Sequence, residues 1–422
     1  MTAASRPLTV ALAGFGTVGR SVARLLCEAH QPALRLVTVC TRRPEAARRD
    51  AAWMPADVAW TDDAEAFLKR RADVVVELIG GIEPARTWIA AALQAGLAVV
   101  TANKQVIAEH GPELFSLARA CGSPLRFEGA VAGAVPVIRG LEDGLAGDRV
   151  TGIAGVMNGT CNFVLGRMTD GGVTLEDAVC EAQARGFAEA DPAADLDGLD
   201  ARAKLAILAS IGFGDHLRPR GIHAGSIRGI DAGDIAAAAS VGRVIRQVAW
   251  AGRPAQGTDR IAAGVTAALV ARDSWLGRAR GPENVVLVHG ERSGTTVFAG
   301  QGAGGDATAV AVVSDLLALV HQRGVPRPWP LQSAAGVCDD VARPCYVRLS
   351  GAGATLSPGR VLQASGIETR RTLAEPGRDG WRWAALVGPC RQADLDEALR
   401  PLVPAGSANG TVVSLPLFDA ET

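Results

Sequence analysis

Three lysines stand among the 43 Lys and Arg residues of this 422-residue chain: Lys69, Lys104 and Lys204. The remaining cations are arginines. An ammonium can shift its pKa and pass on a proton, whereas a guanidinium stays charged. A chain so biased toward arginine should keep lysine where that difference counts. Lys69 lies in the ordinary helical surface run AEAFLKRR, but Lys104 and Lys204 lie in the two most unusual stretches, TANKQ and DLDGLDARAK. Lys204 follows Asp200 by four residues, which puts both on one helix face. Upstream are Glu189, Asp191, Asp195 and Asp197, and downstream is the apolar LAILA. An exposed ion pair behind an acidic helix N-terminus would leave a similar pattern. The rarity of lysine and its apolar surroundings favour a partly buried ammonium beside carboxylates. Such a group transfers protons or receives an ammonium-bearing substrate.

The elements that must position these groups are legible upstream. LTVALA (8–13) reads as a buried parallel strand, GFGTVG supplies Gly14, Gly16 and Gly19, and Val18, Val22, Leu25 and Leu26 recur at helical spacing. In such a strand, turn and helix, the first glycine makes the turn, the second admits a pyrophosphate and the third packs helix on strand. The helix N-terminus then faces the phosphates. The strand LRLVTVC ends at Thr41-Arg42-Arg43, with no acid for the ribose hydroxyls of NAD. Arginines suit a 2′-phosphate, so NADP is expected, with NAD as the alternative. Strands over Asp73–Ile79, Leu97–Val100 and Leu125–Phe127 follow. Gly80, Thr101, Lys104 and Glu128 at their carboxyl ends should edge one crevice. The next segment, GAVAGAVPVIRG, crowds small residues. A hinge is the first reading and an oxygen-lined cation loop the second.

Further on, Thr174 and Asp177 form a capping-box pattern, a helix starts near Leu199, and strands at Val265–Ala271, Val285–Val288 and Thr295–Phe298 predict an antiparallel sheet. GQGAGG reads as a second glycine turn into a helix, expected to return the chain to the cofactor domain; a plain helix N-terminus with flexible glycines is the alternative. Residues 344–422 read strand, helix, strand, strand, helix, strand. The predicted fold is α/β: a Rossmann-type parallel-sheet domain at 1–135 with helix 302–322 packed back on it, an α+β substrate domain at 136–300, and a small α+β C-terminal domain at 344–422. Apolar residues at 48%, charged residues at 21% and a net charge of −1 give no sign of a nucleic-acid partner. No apolar run has membrane-spanning length and no signal-peptide pattern opens the chain, so a cytoplasmic location is expected. Eight scattered cysteines without CxxC spacing read as reduced thiols, and six histidines show no zinc spacing.

GFGTVG, ELIGG, TANKQ, FEGAVAGAVPVI, MNGTCNF, GFAEADPAADLDGLDARAK and GAGGDATA occur in this order. On these motifs the chain resembles homoserine dehydrogenases over roughly residues 8–322. The resemblance implies reversible NAD(P)-linked conversion of L-aspartate 4-semialdehyde to L-homoserine, a step toward threonine, methionine and isoleucine. It implies that Lys204 is the acid/base, with Asp200 orienting it and holding substrate. Glu189 and Asp195 would line the amino-acid site, and Lys104 would reach the substrate or the cofactor. Gly14, Phe15, Gly16, Thr17, Val18 and Gly19 would hold the pyrophosphate, Thr101 would lie near the nicotinamide ribose, and Gly186 and Gly304 would touch the cofactor from its far side. A sodium-like ion would be held by oxygens of Glu128, Val131, Gly133 and Val135. The middle domain would dimerise, giving a homodimer or homotetramer. The tail resembles an ACT regulatory domain, with its usual turn degenerate as GAGATLSPG, and threonine is the effector that this resemblance implies. Two positions depart from the family pattern: Cys161 stands where Thr or Ser is usual, and Ala134 where Gly is common. Two rival readings are a semialdehyde dehydrogenase using Cys161 as nucleophile, and a non-catalytic NADP sensor.

Overall fold

The computed structural model describes residues 6–28, 31–69, 72–253, 260–321, 329–330, 336–338, 341–350, 357–374, 382–402 and 411–419. The chain forms two compact units that are discontinuous in sequence. The first comprises Met1–Ile153, Ala203–Gly221 and Val288–Ala334; the second comprises Ala154–Arg202, Ile222–Leu287 and Ala335–Thr422.

The first unit is built on a six-stranded parallel sheet. Its strands are β1 (Leu8–Ala13), β2 (Leu34–Cys40), β3 (Ala59–Thr61), β4 (Val74–Glu77), β5 (Ala98–Thr101) and β6 (Leu125–Arg126), in the order β3-β2-β1-β4-β5-β6. Val10, Leu12, Val74, Val76, Val99 and Val100 are fully buried, as strands covered on both faces require. The strand order reverses between β1 and β4, and the crevice beyond such a switch point is where ligands of open α/β sheets bind. Helices Thr17–Glu28 and Gly305–His321 share one apolar core through Val22, Leu26, Val312 and Leu316. A Cβ on Gly305 would lie 2.9 Å from the Ser21 hydroxyl, so glycine lets the two helices approach.

The strands that follow are β7 (Val150–Val156), β8 (His223–Ala224), β9 (Arg243–Gly252), β10 (Ile261–Ala271), β11 (Glu283–Gly290), β12 (Gly294–Gln301), β13 (Val337–Cys338), β14 (Arg343–Ser350), β15 (Thr369–Ala374), β16 (Arg382–Cys390) and β17 (Thr411–Phe418). Six of them run β9-β10-β17-β14-β16-β15 within a larger mixed sheet. All neighbours are antiparallel except β10 and β17. The tail, with helices Pro358–Ala364 and Gln392–Leu399 between its strands, has the split βαββαβ connectivity. Most of its degenerate turn, residues 351–356, lies outside the described residues. β17 continues the tail's sheet into β10 through Leu269↔Leu417 and Val270↔Phe418.

A buried polar network holds the tail to helix Ala232–Ser240. That helix starts in a capping box between Asp231 and Asp234. Tyr346 Oη donates to Asp234 at 2.8 Å, Arg348 Nε lies 3.0 Å from Asp234, and Arg382 grips Asp231 at 2.8 and 3.0 Å. Asp234 is 1% exposed and Arg348 4%. Replacing Asp234 leaves the Tyr346 hydroxyl without its partner and takes one of two carboxylates from the buried Arg348 guanidinium. We expect Asp234→Ala to cost about 3–5 kcal/mol in urea unfolding, whereas Glu65→Ala, which removes an exposed partner of Lys69, should leave the midpoint unchanged.

Candidate active site

In the first unit the glycine turn leaves β1 with Gly14 at φ 100°, and a Cβ there would lie 2.5 Å from the Leu78 carbonyl oxygen. A Cβ on Gly19 would come within 2.2 Å of the Gly14 carbonyl oxygen. Both positions demand glycine for packing. Gly16 is different, since a Cβ there meets nothing within 4 Å. Its glycine serves open space in front of a helix that begins at Thr17. Phe15 is buried against Trp60, Val18 is half-buried, and Gly16 and Thr17 are exposed. These residues fit a dinucleotide pyrophosphate.

Beside the turn, Glu77 at the end of β4 is fully buried and organises the end of β5. It accepts from Ile79 N–H at 2.7 Å and from Thr101 Oγ1 at 2.6 Å. Thr101 Oγ1 accepts from Asn103 N–H, and Asn103 Nδ2 donates to the Gly81 carbonyl at 2.7 Å. Asn103 Oδ1 caps the helix that Lys104 opens. Burial pushes the Glu77 carboxyl up, against the hydrogen bonds that favour its charge. Thr101 is thus fully buried and its hydroxyl is committed to Glu77, while Lys104 is half-buried. Glu77 and Asn103 were not singled out from sequence, although an acid closing the apolar run DVVVELI was a signal. Arg42 and Arg43 are exposed just after β2, and Gly304, at φ 116°, is exposed before helix Gly305–His321.

The loop after β6 is tightly made. Glu128 is 3% exposed and accepts from Ile138 and Arg139 N–H, both at 3.0 Å. Burial, then the neighbouring Asp315, pushes its carboxyl up to about 7. Val131 and Val135 are buried, and Ala132 and Gly133 are left-handed at φ 58° and 56°. Gly133 approaches the backbone at Gln301 and Gly302 too closely for any Cβ.

In the second unit the acidic segment converges on one side chain. Asn158 Nδ2 donates to Asp195 Oδ1 at 2.7 Å and to Asp200 Oδ2 at 2.9 Å. Asn158 Oδ1 meanwhile caps helix Gly159–Gly171 by accepting from Cys161 N–H at 2.8 Å. Thr160 Oγ1 lies 3.0 Å from Asp195 Oδ2 and 2.7 Å from the Phe187 carbonyl. The main-chain carbonyl of Asp195 accepts from Cys161 Sγ and from Gln247 Nε2, both at 3.1 Å. Asp197 is drawn instead to Ser226 and Arg228. Glu189 is exposed, with its main-chain carbonyl held by Gln183, and Gly186 is exposed at φ 73°. Sequence reading put weight on Asp195 and Asp200; Asn158, Thr160 and Gln247, which hold them, escaped it.

Helix Leu199–Phe213 carries Asp200 in its first turn and Lys204 one turn later, and the boundary between the units falls within it, after Arg202. Lys204 is 9% exposed. Cys161 is fully buried, and burial, then Asp195 and the other nearby carboxylates, holds its thiol well above the ordinary range. A nucleophilic cysteine needs the opposite environment. Iodoacetamide should therefore label exposed Cys121 and Cys180 in the native protein and spare Cys161. Cys161→Ser, which keeps a donor for the Asp195 carbonyl, should retain activity within a few-fold. Peptide mass spectrometry and initial rates check both.

A cradle for a hydride-carrying dinucleotide and a lysine one turn after Asp200 on the same helix are parts suited to alcohol–carbonyl redox chemistry, so fold and site fit a nicotinamide-dependent oxidoreductase. Residues 14–128 match the family model of the homoserine dehydrogenase NAD-binding domain, and residues 136–317 match that of homoserine dehydrogenase. Homoserine dehydrogenase of Synechocystis sp. is 39% identical over 317 residues, covering 74% of this chain and 73% of that protein. A crystal structure of the Thiobacillus denitrificans homoserine dehydrogenase superposes with a TM-score of 0.86 at 31% identity, covering 98% of both chains. A hyperthermophilic archaeal homoserine dehydrogenase solved in complex with NADPH shares the fold at 24% identity, with a TM-score of 0.64 over 76% of this chain and 100% of that one. The chain belongs to the homoserine dehydrogenase family. It is an NAD(P)-dependent enzyme that interconverts L-aspartate 4-semialdehyde and L-homoserine, a step of amino-acid biosynthesis. The Cys161-nucleophile and silent-sensor readings fall with that assignment. No described helix is long and apolar enough to cross a membrane.

Proposed function

We propose that Lys204 is the acid/base of this reaction. The observation that carries the reading is the Asn158 clamp, which bonds Asp195 and Asp200, the latter one helical turn before the buried Lys204. In the reductive direction the aldehyde carbon gains a hydride, which the nicotinamide supplies when bound. The carbonyl oxygen gains negative charge, and the Lys204 ammonium stabilises it and then gives it a proton, leaving the alcohol. Asp200 keeps that ammonium oriented. Asp195 and Glu189 receive the substrate's own ammonium, and Lys104 meets the substrate or the reactive end of the cofactor.

Gly14, Phe15, Gly16, Thr17, Val18 and Gly19 hold the pyrophosphate; Thr101 shapes the ribose side through Glu77; Gly186 and Gly304 complete the cofactor contacts. Arg42 and Arg43 favour NADP through its 2′-phosphate, and NADPH is the cofactor bound by the archaeal relative. A monovalent cation such as sodium suits the 128–135 loop. There the left-handed pair Ala132 and Gly133 bends the chain between Glu128, Val131, Gly133 and Val135, whose oxygens would hold the ion. The working organisation is a cofactor domain at 1–135 completed by helix 302–322, a substrate and dimerisation domain at 136–300, and an ACT-like regulatory tail at 344–422, in a cytoplasmic homodimer or homotetramer.

The test is reduction of NADP⁺ by the purified protein with L-homoserine at alkaline pH, with NAD⁺ alongside. Lys204→Arg should lower kcat about 10²–10⁴-fold with cofactor binding intact; a rate within ten-fold of the parent would remove Lys204 from the chemistry. Arg42→Ser with Arg43→Ser should raise KM for NADP⁺ and leave KM for NAD⁺ unchanged. An equal effect on both would refute the phosphate reading.

A further inference from the structure

A cavity of about 370 Å³ opens in the second unit, lined by Trp250 of β9, Thr266 of β10, Arg343 of β14 and Ser414 of β17 among others. Arg343 is its unusual member. Its guanidinium carbon lies 3.8 Å from the ring centroid of Trp250 and 4.7 Å from that of Phe418. Arg343 is half-buried, and the two fully buried arginines of this unit differ from it in having side-chain partners: Arg348 pairs with Asp231 and Asp234, and Arg246 donates to the carbonyls of Ile245, Gly277 and Ala279. Arg343 has no carboxylate within ion-pair distance among the described residues, and burial pulls it down to about 10. Two aromatic faces compensate part of the lost hydration, but they leave the in-plane N–H fork unmatched. That fork fits a carboxylate with two parallel hydrogen bonds.

The cavity is separate from the substrate carboxylates. β9 pairs with β10 without irregularity from Arg243 to Gly252. Successive side chains of a strand face opposite ways, so Gln247, which reaches Asp195, and Trp250, three residues on, face opposite sides of the sheet. The cavity also receives Asp396, whose Oδ1 is bonded by Gln392 Nε2 at 2.7 Å. A fixed anion there disfavours a polyanion. Hydroxyls of Thr266 and Ser414 and the ring of Trp250 offer polar and apolar wall for a small organic body.

We propose that this cavity is a second binding site, distinct from the active site, for a small organic molecule bearing a single carboxylate, held by the Arg343 fork against Trp250. Thermal unfolding and tryptophan emission of the full chain would be followed with propionate, and with chloride and phosphate at matched ionic strength. Propionate should raise the midpoint saturably, chloride and phosphate should not, and Arg343→Gln should weaken the apparent affinity about ten-fold or more. Arg343→Lys should lose most of it too, since a point charge cannot replace the fork. Should Arg343→Gln fail to fold, Trp250→Phe serves: it keeps a ring and should retain the propionate effect on the midpoint while losing the change in emission. Equal stabilisation by phosphate or chloride would overturn the proposal, as would unaltered affinity in Arg343→Gln or an emission change that persists in Trp250→Phe. So would a lowered sedimentation coefficient in Arg343→Gln, which would mean that a second copy of the chain occupies the fork.

Discussion

Asp195 and Asp200 carry like charge, and one carboxamide, that of Asn158, bonds both. Much of the second unit follows from that arrangement. For both amide hydrogens to face carboxylates, the Asn158 oxygen must point the other way, and there it caps helix Gly159–Gly171. The cap fixes where that helix starts, and so where Thr160 and Cys161 stand. Cys161 and Gln247 then grip the main chain at Asp195 from two directions, one on the helix and one on β9. The acidic segment is irregular and partly exposed, yet it is held by regular elements on either side. A site on loops gains its accuracy from such a scaffold.

The cofactor half works by a similar economy. Glu77 is a buried acid at a strand end, which is expensive unless its oxygens are matched. Its matches are Ile79, Thr101 and, through Thr101, Asn103, so one carboxylate ties together the two loops that follow β4 and β5. Glycine is required at Gly14 and Gly19 by protein atoms but at Gly16 by empty space alone, which separates packing glycines from a ligand glycine.

How much of this was legible depended on whether an element advertises its burial. β1, β2 and the tail strands are apolar runs or alternations, and sequence placed them within a residue or two. β9 was missed. Its sequence, RVIRQVAWAG, puts Arg246 and Gln247 at 1% and 2% exposure, in the middle of a strand buried almost throughout. Their bonds to the carbonyls of Gly277, Ala279 and Asp195 reach residues that no local pattern reveals. β3, three residues long, offers too little period to read. The clustered acids and Lys204 stood out by type and spacing. Asn158 and Gln247 did not, because each matters through a partner at least 37 residues away.

The tail's outer strands meet different fates. β17 is hydrogen-bonded on both sides, to β14 and to β10. Among the described residues the opposite margin is β15, with Arg370 and Arg371 exposed side by side on it. An open strand margin is a template for uncontrolled accretion, and charge is a common guard against it. One margin of this small sheet is sealed by the enzyme's own body. At the other, an incoming chain would have to bring two guanidinium groups out of water before its first ladder bond formed.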